Sequence, residues 1–415
     1  MVKNRNFLQF FQTVAGALRV VSKYLVFFFA KIFSILIVKQ PRVSLFLKSF
    51  LKKNPRLWLK LAEYNLSSYN PRDNESFVSI SLQDMNLYFS KEPLKDRRGI
   101  GRVSRELLKQ LESSQAVTYM KELDEVIDKK RPDIYLYTSI HWCPKKLPKN
   151  TIVMIHDVIP LIFPKVFPAE SYTWLFYYKS IAIQAKRIIT ISESSAKDIS
   201  FYLDIPLEMI HVVHNGVTNL PAIDCHLLDL PKGDYFVYVG SYDFHKNIDV
   251  VLKAMRDINN KNVYLVMIGD NKKCMKMVDK LGIKNQVVFL GRIDDGQVGY
   301  VISKSKGLLF PSLYEGFGLP PFEAALLGVP TICSDRPAMN VLLRDAALFA
   351  DPFSIEQWVV QMRVLLGNSQ LIESIVATAH ARAKAMTWEA SCNSLVSILE
   401  DVAQESVQIN SLHTP

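Results

Sequence analysis

Residues 307–335 read "GLLFPSLYEGFGLPPFEAALLGVPTICSD" and decide the fold. The run "GLLFPS" (307–312) is short, apolar and closed by proline, which suits a buried strand rather than a helix. Gly316 and Gly318 open a loop. Pro320 and Pro321 fit the first turn of a helix, where their missing N–H groups would be unpaired anyway, and Gly328 suits its end. Glu323 is expected in that first turn, where its charge is favourable. "VPTICSD" (329–335) then reads as a second strand. Two buried strands joined by a helix argue for a parallel sheet covered on both faces.

The same alternation extends in both directions. Upstream, "YFVYVG" (235–240), "VYLVMIG" (263–269) and "QVVFLG" (286–291) read as strands separated by helical patterns. An earlier series holds "FVSISL" (77–82), "DIYLYTS" (133–139), "TIVMIHD" (151–157), "RIITIS" and "MIHVVHNGV", with a loop poor in apolar residues after 77–82. Two such series predict an α/β protein of two Rossmann-like halves, each a parallel sheet covered on both faces, with a linker near Leu220–Lys232. Ligand is then expected beyond the carboxyl ends of the strands, in the cleft between the halves. The expected division is 1–75 as a basic, apolar helical extension, 76–225 as the N-terminal Rossmann-like half, 226–385 as the C-terminal Rossmann-like half, and 386–415 as a helix crossing back and a tail.

Charge sets the first 60 residues apart. They hold twelve Lys/Arg and no acid, so the net +10 is theirs: the remaining chain has 38 basic and 40 acidic residues. A basic character confined to one segment argues against nucleic acid as the partner. Lys23, Lys31 and Lys39 limit the apolar runs to Tyr24–Ala30 and Ile32–Val38, too short for a spanning helix, and no signal cleavage site is visible. Gln12, Gly16, Arg19, Lys23, Ala30 and Ser34 share one helical face, which reads as an amphipathic helix lying on an anionic membrane surface; a helix packed on the protein and a tilted spanning helix are the competing readings. Five scattered cysteines with no CxxC pair, and eight histidines with no ligand spacing, give no metal site and point to a reducing compartment.

Four stretches carry chemistry. "DRRGIGRVSREL" (96–107) places Gly99 and Gly101 at a turn opening a helix, where backbone N–H groups can face an anion. "MIHDVIPLIFP" puts His156 and Asp157 just past a strand; a histidine there either meets substrate or is satisfied by the backbone. In "VGSYDFHKNID" (239–249), Asn247 is expected to cap the next helix, and Lys246, with His245 as an added donor, could hold a diphosphate. In the opening stretch, Glu315 and Glu323 are spaced by a rigid turn, and two carboxylate acceptors suit the hydroxyls of a sugar better than phosphate. A glycosidase acid/nucleophile pair is the alternative.

With these residues in view, "PSLYEGFGLPPFEAALLGVP" resembles the glutamate–seven residues–glutamate signature of the family-4 retaining glycosyltransferases of GT-B fold. "GIGR", "HDVIP", "HNGV", "HKN", "DAALFADP" and "TWEAS" follow in that family's order, from about Ser76 to the last helices. The resemblance implies that Glu323 binds the ribose hydroxyls of a nucleotide-sugar and Glu315 those of the transferred sugar. It implies that backbone N–H groups from Gly316 and Phe317 to Gly318 and Leu319 line the pocket, and that Lys246 neutralises the leaving diphosphate without a metal or other cofactor. Gly99 and Gly101 would approach that diphosphate, and His156 would face the donor sugar. His245 stands where the family has arginine, so the clamp is expected to rest on Lys246 and Arg292. "TICSDRPAMN" lacks an acid the family often carries there, with Asn340 near that place. The "HDVIPLIFP" and "GIGR" style resembles enzymes using GDP-mannose or a related deoxyhexose donor. The implied protein is a cytoplasmic hexosyltransferase, peripheral at the inner face of the cell membrane, passing sugar to a glycan or lipid-linked acceptor in polysaccharide or lipopolysaccharide synthesis. A catalytically degenerate GT-B module serving as a membrane-associated scaffold is the rival.

Overall fold

The computed structural model describes residues 76–82, 85–96, 99–113, 117–120, 131–223, 228–270, 272–367 and 370–412. The readings made for residues 1–75 lie outside these. The described residues form two units, 160–183 by itself, and 76–159 together with 184–412. The smaller unit is built on the helix Pro168–Ala182, within which Trp174 stacks on Tyr178 with ring centroids 5.4 Å apart. The larger unit carries both sheets.

The second half is a parallel sheet of six strands, β8 (Asp234–Val239), β9 (Val263–Ile268), β10 (Val287–Gly291), β11 (Gly307–Phe310), β12 (Thr331–Ser334) and β13 (Leu348–Ala350), in spatial order β10-β9-β8-β11-β12-β13. The chain therefore runs outward one way from β8, returns, and runs outward the other way from β11. Neighbours β8 and β11 face the point of reversal, where loops leave toward opposite faces and open a crevice. Leu308, Leu309, Val237 and Leu265 are fully buried, as expected for strands covered on both faces.

The first half departs from the all-parallel expectation. Its seven strands run β3-β1-β2-β4-β5-β6-β7. β1 (Phe77–Leu82) is antiparallel to both β2 (Met85–Ser90) and β3 (Val117–Met120), while β2, β4 (Asp133–Tyr137), β5 (Thr151–Met154), β6 (Arg187–Thr190) and β7 (Ile210–Val212) are parallel. The loop expected after 77–82 is in fact strand β2, "MNLYFS", every residue of which is buried. Its polar residues hid it: Asn86 and Ser90 are buried, and the Asn86 side chain donates to Asp133 at 2.9 Å.

The final helix, Trp388–Leu412, returns to this first sheet. Leu395, Leu399 and Val402 join Leu107, Leu111 and Ile134 in one buried cluster. The crossing point is tight. A Cβ on Gly216, in "HNGV", would lie 2.3 Å from the Trp388 nitrogen, so only glycine fits. Trp388 Nε1 donates to Thr218 Oγ1 at 3.0 Å, and Val217 N donates to Met386 O at 2.9 Å. Arg187 and Lys186 both pair with Glu405 further along the helix.

Candidate functional site

Lys246 and Glu315 lie beyond the ends of β8 and β11, the two strands at the point of reversal. A 3₁₀ turn, Phe244–Lys246, follows β8. Leu313 N donates to His245 O at 2.7 Å and ties this turn to the loop after β11. Lys246 Nζ is then 2.7 Å from Glu315 Oε1. Asn247 has left-handed backbone (φ 50°) and makes no capping bond; its side chain donates instead to Pro352 O at 2.8 Å. The expected cap is corrected on that account: a capping residue is extended, and Asn247 is left-handed, with its Nδ2 anchoring the turn to the loop after β13.

Gly318 precedes the helix Leu319–Leu326 with φ 89°, and a Cβ there would fall 2.8 Å from Met339 Cε. The helix begins at Leu319, which places Pro320 and Pro321 in its first turn as expected, and Glu323 stands in its second turn rather than its first. Glu323 is 3 % exposed. Burial pushes its pKa up to about 7, outweighing the opposing pull of Arg102. Phe317 is buried against Phe322, with centroids 5.3 Å apart, so it contributes core on its side-chain side. Leu319 packs on the same cluster.

The first half meets this loop directly. A Cβ on Gly316 would lie 2.8 Å from His156 O, and Tyr314 Oη donates to Asp198 Oδ2 at 2.7 Å. Arg102 crosses to the other half: one guanidinium nitrogen binds Glu323 Oε1, and the other lies 2.7 Å from Asp295 Oδ1. Arg102 is held in place by its neighbour. A Cβ on Gly101 would sit 1.8 Å from Asp96 O, so the helix Gly99–Ser113 can start against that carbonyl only with glycine there. Around Gly99, by contrast, a Cβ would meet nothing within 4 Å.

His156 is 7 % exposed, and its Nε2 lies 2.9 Å from Thr138 O. A carbonyl only accepts, so Nε2 carries the hydrogen. Thr138 Oγ1 in turn lies 2.7 Å from Ser104 Oγ. The ring orientation is thereby fixed by backbone, the outcome the sequence left open beside substrate contact. Asp157 accepts from Ile159 N at 3.1 Å; burial raises its pKa, with nearby His245 and Lys246 opposing. Burial and then the adjacent Lys246 push the His245 pKa down.

The structure thus brings together Lys246, His245, Glu315, Gly316 and His156 at one place, and Arg102 with Glu323 beside them. Arg292 is exposed at the end of β10 and has no ion pair among the described residues. Asn340 donates to Asp335, the residue that follows β12. Sequence reading missed Arg102 and Asp295. The signal was present in "GIGR", an arginine in the first turn of a helix that begins at a glycine pair. Among the described residues, no group of three or more His, Cys, Asp or Glu is placed to hold a metal ion, and no helix is long and apolar enough to cross a membrane.

Comparison with known proteins adds to this geometry. Residues 228–382 match the family described as glycosyl transferases group 1, and residues 84–218 match glycosyltransferase family 4. The O-antigen chain mannosyltransferase RfbU of Salmonella typhimurium is 29 % identical over 224 residues, covering 53 % of this chain and 62 % of its own length. The O-antigen chain mannosyltransferase B of Escherichia coli is 24 % identical, covering 61 % of this chain and 71 % of its own. Among solved structures, the sucrose-phosphate synthase of Thermosynechococcus elongatus aligns with a TM-score of 0.56 at 19 % identity, over 65 % of this chain and 73 % of that one. The Anabaena protein HepE in complex with UDP-glucose aligns at 0.54 and 17 %, over 60 % and 72 %. These likenesses show the GT-B fold.

Proposed function

The chain belongs to the family-4 glycosyltransferases of GT-B fold, and on that premise we propose that it transfers a hexose, mannose or a close relative, from a nucleoside-diphosphate donor to a glycan or lipid-linked acceptor in cell-surface polysaccharide synthesis, with retention of anomeric configuration. The observation that carries this reading is the Lys246–Glu315 pair, held 2.7 Å apart at the point where the strand order reverses. A cation and a carboxylate side by side suit a ligand whose diphosphate adjoins a polyol. Lys246 takes the charge that develops on the leaving diphosphate as the glycosidic bond breaks, and it does so without metal. Glu315 accepts from hydroxyls of the transferred sugar. Glu323 accepts from ribose hydroxyls at the far side. His156, its ring held through Nε2 at the end of β5, lies on the donor-sugar side of the site on this reading. The mannose assignment is supported by the two O-antigen mannosyltransferases among the relatives.

Residues 1–60 supply twelve cations and no acid, and on this reading hold the enzyme at the cytoplasmic face of the membrane near a lipid-linked acceptor. The rival reading, a degenerate scaffold, makes the opposite prediction in one assay. Purified protein given GDP-mannose and an acceptor lipid extract should release GDP and label the extract, and Lys246→Ala and Glu315→Ala should each slow the release about 10²-fold or more. Full turnover by either variant refutes the assignment of roles, and no turnover by the wild type with any nucleotide-sugar favours the scaffold. Loss of vesicle binding on deletion of residues 1–60 tests the anchor separately.

A further inference from the structure

The loop that carries Glu315 is gripped by the first half on both sides of that residue. It joins β11 to the helix Leu319–Leu326 and contains Gly316 and Gly318, so its own backbone is permissive. Tyr314 Oη donates to Asp198 Oδ2 at 2.7 Å. Burial, then Asp198 and Asp157, push the Tyr314 pKa up, so the phenol stays protonated and is the donor. On the other side, a Cβ on Gly316 would lie 2.8 Å from His156 O and 3.3 Å from Ser195 Oγ. Between the two, Glu315 turns the opposite way and accepts from Lys246 of the second half, its side chain 12 % exposed. Asp198 has a firmer support than the loop. The helix Glu193–Leu203 follows β6 and is capped by Ser192, which accepts from Ser195 N at 3.1 Å. Its residues Ser195, Ala196, Ile199 and Leu203 are buried. The half-buried Asp198 carboxylate is thus a fixed point against which a permissive loop is set.

We propose that Asp198 is a positioning residue for sugar transfer: through Tyr314 it fixes where Glu315 stands against the transferred sugar. This rests on the reading of Glu315 as an acceptor for sugar hydroxyls and deepens it. A group that orients the reacting sugar is sensitive to placement, and a displacement of about 1 Å costs up to about 10²-fold in rate. The ribose and the diphosphate are held elsewhere on this reading, by Glu323 and Lys246. The effect of losing the tie therefore falls on the transfer step and spares binding of a nucleotide that lacks the sugar. A tie that acts through Glu315 also has nothing to act on once that carboxylate is removed. A tie that only stabilised the fold would weaken nucleotide binding along with turnover, with or without Glu315.

Two measurements on the full-length protein test this: steady-state transfer from GDP-mannose to the acceptor lipid extract, and calorimetric binding of GDP. The proteins compared are the wild type, Tyr314→Phe, Asp198→Ala, Asp198→Asn, Glu315→Ala and the double variant Asp198→Ala/Glu315→Ala. Tyr314→Phe removes one hydroxyl and keeps the ring, so it tests the tie even where Asp198→Ala folds poorly. Tyr314→Phe and Asp198→Ala should each lower kcat about 10–100-fold, with the dissociation constant of GDP within about twofold of the wild type. Asp198→Asn keeps an oxygen that accepts from the phenol and should recover most of the loss. Added to Glu315→Ala, the Asp198→Ala change should lower the residual kcat by less than about threefold, because residues acting through one another are not additive. Wild-type turnover by Tyr314→Phe, while Glu315→Ala is slow, overturns the proposal and leaves the donor reading intact. The same holds for a full further loss in the double variant, or for GDP binding that weakens as much as turnover. Full turnover by Glu315→Ala overturns both.

Discussion

Glu323→Gln should stabilise the protein at pH 8 while weakening the donor, and the two effects have separable sizes. The carboxyl is buried, and burial moves its pKa from the ordinary 4.5 to about 7 despite Arg102. A carboxyl raised in this way binds a proton more tightly folded than unfolded. Its contribution to stability is fully present below pH 4.5 and is lost as the pH rises through about 7. At 1.36 kcal/mol per pKa unit, the loss by pH 8 comes to about 3 kcal/mol. The amide has no charge to desolvate and escapes it. The assay is chemical or thermal unfolding of both proteins from pH 5 to pH 8.5, read as the difference between them. The variant's relative stability should climb across pH 5–7.5 and level off above. Parallel curves would refute the claim that this carboxylate is held at an electrostatic cost. Donor binding should move the other way. A hydrogen bond to a charged group contributes about 1.5–3 kcal/mol, so the dissociation constant of GDP-mannose should rise about 10–100-fold.

Lys246→Ala should lower kcat/KM by about 10²–10³ with most of the fall in kcat, since the cation acts on charge that grows in the transition state; steady-state kinetics over donor concentration checks the split. Gly101→Ala should destabilise by about 1–3 kcal/mol, because the added carbon collides with the Asp96 carbonyl, which is main chain and cannot swing aside; denaturant midpoints measure it. Glu405→Ala should cost about 1 kcal/mol or less although it removes two ion pairs, because the carboxylate is over a third exposed; a melting shift of no more than about 4 °C with unchanged turnover is the expected result.

The parts legible in the sequence were those with an uncompromised local pattern. In the second half, β8, β9, β10 and β11 are apolar runs closed by Gly240, Gly269, Gly291 and Pro311, which made them readable, whereas β13, three residues long and preceded by a turn without glycine or proline, was not read. In the first half, β2 was hidden because Asn86 and Ser90 break its apolar run, and the hydrogen bond from Asn86 to Asp133 that makes its burial tolerable is 47 residues away. Distance in sequence hid the site partners also. Lys246 and Glu315 were separately readable as a cation after one strand and an acid after another. That they touch follows only from β8 and β11 being neighbours. Asn247 has the composition of a cap and the position of one, yet its backbone is left-handed rather than extended and its side chain makes no bond to the helix. Arg102 carried a readable local signal, but its partners Glu323 and Asp295 belong to the opposite half.

That pairing bears on how an acid can serve a ligand and a cation at once. Neutral ribose hydroxyls cannot replace the Arg102 guanidinium charge for charge, since doing so would leave Glu323 buried and uncompensated, at a cost of several kcal/mol. An ionised carboxylate has two oxygens and about four lone-pair sites, and Arg102 takes its bond on Oε1 alone. The remaining capacity is enough for a vicinal diol, so cation and ribose can be held together rather than in turn. Arg102 comes from the first half and Glu323 from the second, which makes the donor's best seat one in which the two halves stay in contact. Glutamine offers a single acceptor oxygen and must choose between them. The loss of donor affinity in Glu323→Gln is for that reason expected to exceed the loss in Asp295→Asn, whose exposed carboxylate supports Arg102 from the other side without meeting the ribose.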